Sequence, residues 1–387
     1  MQATEPQSRV ASNEYVRDIN RRVVLNLIRT RQPISRADLA RMCGLQRSTI
    51  SLIVEQLIEE RWVIEGPTGR LPRGRRPTFL RLNNDRAIIG VDIRPSQITV
   101  ALSDVSGKFT SQETMATPQD PDVAIKELIE AIRRASGGAR EKKIEGVGIS
   151  LPGRFNETTG RLVFAPNLKW PELDIRGAIE AATGLEVEQE NAANACVLAA
   201  VWFDHIKDED LVVVTVSEGI GAGVLANGKL MRGLNGMAGE LGHVPLDVNG
   251  PVCGCGSRGC WEVYGSNRAA LRYYAESAAA PDGLSFPELL TRAESGDVRA
   301  LNAIEKMARY VGLGMRMIVV GLAPQRIIVL GDLTRSWHLF SPVIEAELRS
   351  HILPGGSLPI LQTANEDGMA RLRGAVALMM QKHFAAP

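Results

Sequence analysis

Ala87-Ile-Ile-Gly-Val-Asp-Ile93, a short turn, and Gln97-Ile-Thr-Val-Ala-Leu-Ser103 make one strand–turn–strand unit; Leu211-Val-Val-Val-Thr-Val216 and Ala222-Gly-Val-Leu-Ala-Asn-Gly-Lys229 make a second. Each unit opens on a run rich in β-branched residues with no polar alternation. That is the pattern of a strand buried on both faces. The recurrence points to two related halves. Ile144–Pro152 and Arg326–Gly331 read as further buried strands, residues 122–136 as an amphipathic helix, 298–320 as a long helix and 368–384 as a closing helix. Strands alternating with helices predict an α/β architecture. No short solenoid repeat is visible.

Residues 1–12 are polar and are expected to be disordered. From Val16 to Thr30, Val16, Ile19, Val23, Leu27 and Ile28 recur at helical spacing, and Pro33 breaks the run. Ser35 can cap a second helix, with Asp38 as its capping-box partner. That helix carries Leu39 and Met42 and stops at Gly44. A third begins at Gln46 or Arg47 and ends near Glu60, burying Ile50, Ile53, Val54, Leu57 and Ile58. Two short strands, Trp62–Glu65 and Thr78–Leu82, flank an Arg-, Gly- and Pro-rich loop. Three helices and a strand pair over 13–86 predict a winged helix-turn-helix. In such a module the N-terminal residues of the second helix of the pair lie on base edges. These are Gln46, suited to adenine, Arg47, suited to guanine or phosphate, and Ser48 and Thr49, suited to phosphate. Arg73, Arg75 and Arg76 in the loop suit a narrow minor groove; the plain alternative is a solvated charged loop.

Charge supports this division. The whole chain, 387 residues, has a net charge of +1, yet residues 1–86 carry 16 Arg, no Lys and 9 acidic residues. The rest of the chain is net acidic. A basic small segment joined to an acidic large one suggests a double-stranded DNA reader attached to another body. No run of about 18 apolar residues exists, so no membrane partner is expected. The N-terminus lacks the apolar segment of a secretory signal, and a cytoplasmic location is expected.

Three of the five cysteines lie close together. His243 precedes Cys253-Gly-Cys255-Gly-Ser-Arg-Gly-Cys260. Three thiolates and an imidazole make a full tetrahedral shell for one Zn2+, with no open position, so a structural role is expected. Cys43 and Cys196 fall on apolar helical faces and read as core.

The cysteine loop, with Ala238-Gly-Glu240-Leu-Gly-His243 before it and Glu262 after it, resembles the signature of the ROK family (repressors, open reading frames and sugar kinases). Asn167-Leu-Lys-Trp170 and Gln189–Leu198 fall where that family carries its sugar-site motifs, and the Arg-Arg-Pro wing is similar to that of the repressor branch. The resemblance implies an actin/hexokinase-like, ribonuclease H-like body of two α/β lobes with a sugar-binding cleft between them. By this reading residues 87–200 with 368–387 form the first lobe, and 201–367 the second, with the zinc loop. By motif match the sugar contacts are Gly153, Arg154, Asn191, Glu240, His243 and Glu262; carboxylates and amides suit vicinal hydroxyls.

Against the family's kinases, several positions differ. The Asp that serves them as general base is Ala192 here. Their first phosphate turn reads Asp92-Ile-Arg94-Pro-Ser96, which loses glycines that admit a phosphate to backbone N–H groups. The second, Ser217-Glu218-Gly-Ile-Gly221, is partly kept, and a Gly-Gly pair at the adenosine site reads Gly331-Asp332. The resemblance therefore implies no enzyme but a pseudokinase used as a sensor. The resulting expectation is a sugar-responsive regulator, most simply a repressor of carbohydrate-utilisation genes. It would bind a palindromic operator as a homodimer or homotetramer. Space left by Ala192 makes a pentose, a sugar phosphate or a disaccharide as suitable an effector as a hexose. Two rival readings stay open: a regulator without a sugar ligand controlled by a protein partner, and an active ATP-dependent sugar kinase.

Overall fold

A computed structural model describes residues 13–68, 78–139, 142–156, 159–204, 206–277, 283–350, 353–364 and 369–384. The segment expected to be disordered, 1–12, and the wing residues Arg73, Arg75 and Arg76 lie outside the described residues.

The N-terminal module has helices Asn13–Arg31, Arg36–Cys43 and Arg47–Glu59. Ser35 caps the second helix: its Oγ accepts from Asp38 N, and the Asp38 carboxylate accepts from Ser35 N, closing the capping box. Gly44, at φ 68°, ends that helix in the left-handed region and turns the chain into the third. A three-stranded sheet follows in the order Ile34–Ser35, Thr78–Leu82, Val63–Thr68. The two-residue strand was not legible in the sequence, because two residues carry no period.

The body is built on two five-stranded sheets of the same topology. In the first, Val187–Asn191 and Lys143–Leu151 run parallel to Arg86–Ile93, and Gln97–Asp104 and Phe109–Ala116 continue it antiparallel. In the second, Ile360–Thr363 and Arg326–Leu330 run parallel to Leu211–Val216, and Ile220–Ala226 and Lys229–Leu230 continue antiparallel. The two quoted strand–turn–strand units are thus equivalent elements of a duplicated fold. Phe109–Ala116 escaped the sequence reading because it is an exposed edge strand, FTSQETMA, with no buried apolar face.

Two helices fill the space between the sheets. Ala370–Phe384 lies on the first sheet, and Ala192–Trp202 lies between that helix and the second sheet. The contacts are backbone to backbone. A Cβ on Gly148 would stand 1.8 Å from Ala375 O, one on Gly374 would stand 1.9 Å from Ala195 O, and one on Gly223 would stand 2.5 Å from Ala193 O. The expected division between residues 200 and 201 falls inside Ala192–Trp202, and the packing assigns this helix as much to the second sheet as to the first.

The N-terminal module shares its core with these helices. Val24, Leu25, Leu57, Trp62 and Leu80 pack in one cluster with Leu198, Trp202, Met380 and Phe384. A buried ion pair fastens the joint. Arg86, on the first strand of the body, pairs with Glu145 on the neighbouring strand; both side chains are buried. Its Nε also donates to Arg61 O at 2.9 Å, its Nη2 donates to Glu60 O, and its guanidinium lies 3.8 Å over the Trp62 ring. The carbonyls just beyond the third helix are therefore held by the body's central sheet.

His383 completes this joint, its ring centroid 4.7 Å from that of Trp62. Burial, then the positive charges of Lys382 and Arg86, push its pKa down to about 4. Glu145 stands 3.8 Å away but is already committed to Arg86. The unfolded chain takes up this proton near pH 6.5 and the folded one only near pH 4, so stability falls as pH drops through that window. The loss attributable to His383 is on the order of 1–3 kcal/mol. Denaturant unfolding at pH 7 and pH 5 is expected to show that loss in the wild type and a smaller one in His383→Gln.

Candidate functional site

At the reading end, Gln46 precedes the third helix with no side-chain capping bond, and Gln46, Arg47 and Ser48 are exposed. Thr49 is half-buried. Ile50, Ile53, Val54 and Leu57 face the core, as the spacing predicts. Leu52 was missed: it is 68% exposed on the opposite side, one turn after Ser48. An apolar residue off the buried stripe of this helix is the signal that could have found it, since on a helix lying in a DNA groove such a side chain would suit a thymine methyl.

A cavity of about 100 Å³ opens between the ends of the two sheets. Gly153 comes from the turn after Lys143–Leu151, Asn191 and Ala192 from the junction of Val187–Asn191 with the central helix, and Gly219 from the turn after Leu211–Val216. Glu240 and His243 come from the single-turn helix Glu240–His243, and Glu262 from the start of Glu262–Gly265. Five of the six expected sugar contacts line this cavity; Arg154 lines an adjoining one instead. Arg371, at the start of the C-terminal helix, also lines the first cavity. Nothing in the sequence brings Arg371 to Asn191; the packing of the two central helices does.

Local bonds fix the wall. Asn191 Oδ1 accepts from Ala193 N at 2.8 Å and caps the central helix, and its Nδ2 donates to Gly153 O at 3.0 Å. Glu190 is pinned away from the cavity: Oε1 accepts from Asn191 N and Asn194 Nδ2, and Oε2 from Arg232 Nε at 2.9 Å. At Gly219 a Cβ would lie 2.6 Å from Glu262 Oε2, so only glycine leaves that carboxylate in place. Burial pushes the Glu240 carboxyl up, opposed by His243 and Arg154 and reinforced by Glu262.

Behind the cavity, one ligand atom from each of His243, Cys253, Cys255 and Cys260 lies within 4.8 Å of all the others. Cys255 Sγ and Cys260 Sγ are 3.7 Å apart, and Cys253 Sγ is 3.6 Å from His243 Nδ1. Burial and the Glu262 carboxylate push the Cys253 thiol up; thiols this crowded ionise together only against a cation. This donor set could hold a metal ion. The His243 ring divides its two nitrogens: Nδ1 faces the cysteines, while Nε2 stands 3.6 Å from Glu240 Oε2. A carboxylate on the outer nitrogen of a ligating histidine fixes its orientation and raises its basicity. Cys43 is half-buried and donates to Leu39 O, and Cys196 is buried; both sit apart from the cluster.

Two duplicated sheets with a cleft between their ends, preceded by a helical module with a small sheet, define a two-lobed α/β body of the hexokinase-like type. Residues 88–382 match the model of the ROK family, and the chain belongs to that family. The xylose repressor of Bacillus subtilis (strain 168) is 32% identical over 348 residues, which is 89% of this chain and 90% of that protein. A ROK family glucokinase from Streptomyces griseus, solved with glucose and AMPPNP, superposes with a TM-score of 0.69 at 30% identity, over 76% of this chain and 99% of that one. A ROK family transcriptional regulator, a homolog of the E. coli MLC protein, superposes with a TM-score of 0.83 at 24% identity, over 96% of this chain and 98% of that one. This last likeness of fold extends through the N-terminal module. Among the described residues no helix is long and apolar enough to cross a membrane.

Because the cluster joins three separate turns of a loop with little core of its own, a bound cation should stabilise the second lobe. Exhaustive chelation is expected to lower the melting temperature by about 5 °C or more, with recovery on adding back metal. Cys260→Ser should show the lower temperature and no chelator response.

Proposed function

We propose that the protein is a sugar-responsive transcriptional repressor whose kinase-like body serves as a sensor. One observation carries this reading above the others: a single helix joins the two ends of the molecule. Ala192–Trp202 begins in the first cavity, capped by Asn191, and ends where Arg29 of the reading module donates to Trp202 O at 3.1 Å. The Arg29 guanidinium also lies 4.5 Å over the Trp202 ring. Eleven residues of helix span about 16 Å as a rigid rod. A ligand that shifts the capped end must shift the Arg29 contact.

The residues around the cavity support a sugar. Glu240, Glu262 and His243 Nε2 offer acceptors and a donor for adjacent hydroxyls. In this reading Gln46, Arg47, Ser48 and Thr49, with Leu52, meet bases and phosphates in the major groove, and Arg73, Arg75 and Arg76 enter the minor groove. Two reading heads would engage a palindromic operator through a homodimer or homotetramer. Sugar binding would alter operator affinity through a coupling of about 1–3 kcal/mol.

The metal we assign to His243, Cys253, Cys255 and Cys260 is Zn2+. Bond lengths of about 2.3 Å to sulfur and 2.05 Å to nitrogen at a tetrahedral angle put two sulfurs about 3.8 Å apart and sulfur and nitrogen about 3.6 Å apart. The corresponding separations here are 3.7 and 3.6 Å. The ion would lock the loop that carries His243 and Glu262, a structural task.

We infer no kinase activity. Ala192 has no proton acceptor, Glu190 is committed to three donors, and Arg94 at the end of the first strand is ion-paired to Asp92 at 2.6 Å where kinases turn on glycines. General-base loss alone costs about 10²–10⁴ in rate. Ala192→Asp is expected to show no ATP-dependent sugar phosphorylation in a coupled ADP-release assay, since the phosphate turns stay altered; measurable turnover would refute the sensor reading.

Operator binding measured with and without sugar tests the coupling. The wild type should lose operator affinity by about 5- to 150-fold on saturation with its effector, and the logarithm of its affinity should fall linearly with the logarithm of salt concentration. Glu262→Gln should lose the sugar response. Arg29→Ala should bind operator and sugar yet respond weakly, because the rod no longer grips the reading module. An Arg29→Ala protein with full response would exclude the helix as the link.

A further inference from the structure

Beside the first cavity lies a second, of about 380 Å³. The two share a wall made of Gly153, Asn191, Asn194 and Gly236. Ligand pockets in proteins commonly measure about 300–1,000 Å³; the first cavity falls well short of that range and the second lies within it. The shared wall is partly glycine, and a Cβ at Gly236 would meet nothing closer than Phe155 O at 3.7 Å.

The chemistry of the second cavity is that of a carbohydrate subsite. Asn194 is 5% exposed, stands on the shared wall, and has an Oδ1 with no hydrogen-bond partner, its Nδ2 being given to Glu190. Gln189 Oε1, also lining the second cavity, is buried and likewise without a partner. Asn194 and Gln189 both line this space, and each carries a buried amide oxygen without a partner, an acceptor that suits a hydroxyl donor. Phe155 supplies an apolar ring for the C–H face of a pyranose. Three arginines line the space, yet two are neutralised: Arg232 by Glu190 at 2.9 Å and Arg176 by Glu180 at 3.3 Å. Arg154 lies over the Phe164 ring and against Met237 Sδ. Glu188 and Glu190 also line the space, and with these carboxylates and the unpartnered amide oxygens it suits a neutral polyhydroxyl group better than an anion.

We propose that the effector is a disaccharide or longer oligosaccharide, with one unit among Glu240, His243 and Glu262 and the next among Arg154, Asn194 and Gln189. This rests on the reading of the first cavity as a sugar site. Arg176 is a sensitive test position, because it lines only the second cavity and sits on a half-exposed helix face.

Isothermal titration of the full-length, zinc-loaded chain decides the matter. The probes are glucose, xylose and glucose 6-phosphate against maltose, cellobiose, sucrose and xylobiose. A disaccharide is expected to bind about tenfold or more tighter than its component monosaccharide, the gain of a few added hydrogen bonds. The space-filling Arg176→Trp should reduce that advantage and leave monosaccharide affinity unchanged. Monosaccharide binding that no disaccharide exceeds, or preference for glucose 6-phosphate, would overturn the second subsite while leaving the sugar-site reading standing. If no probe binds the wild type and Glu262→Gln leaves operator binding unaltered in every condition, both readings fall.

Discussion

The molecule depends on the face-to-face packing of two helices between two sheets. Gly148 against Ala375, Gly374 against Ala195 and Gly223 against Ala193 bring backbones together with no side chain between them. A methyl group at any of these three glycines would overlap a carbonyl. Interiors packed at this density do not deform smoothly; they shift as rigid units. That property lets helix Ala192–Trp202 act as a connection rather than as filler. Its first turn is wall of the cavity and its last carbonyl is gripped by Arg29.

The second connection is electrostatic. Arg86 and Glu145 are buried together, and the guanidinium gives its remaining donors to the Glu60 and Arg61 carbonyls just past helix Arg47–Glu59. A buried ion pair contributes little net stability, since desolvation offsets its attraction, but it is directional. Here the direction matters: the orientation of the reading head is referred to the central sheet of the first lobe. Helix and ion pair together tie the N-terminal module to the C-terminal helix and the cavity wall.

The cavity itself is arranged by the cysteine loop. His243 turns Nδ1 to the thiols and Nε2 to Glu240, and Glu262 accepts from Cys253 Sγ at 2.9 Å. The side chains that would meet a sugar are thus the same ones, or the immediate neighbours of the ones, that would meet a metal. Order in the loop and order in the site are inseparable.

Much of this was legible in the chain. Unbroken apolar runs mark the strands at 87–93, 97–103, 211–216 and 326–331, Ser35 with Asp38 marks a helix start, and the spacing of His243, Cys253, Cys255 and Cys260 marks a tetrahedral donor set, because each of these signals is local. Among the elements the sequence reading did not find, strand Phe109–Ala116 is exposed on nearly every residue and helix Ala192–Trp202 is buried on nearly every residue, so neither shows amphipathic contrast. Only the tertiary structure brings Arg371 to the cavity, sets Gln189 and Asn194 around a second one, and joins Arg29 to Trp202. Those juxtapositions arise from close approach between segments far apart in the chain, and no residue spacing along one strand or helix encodes them.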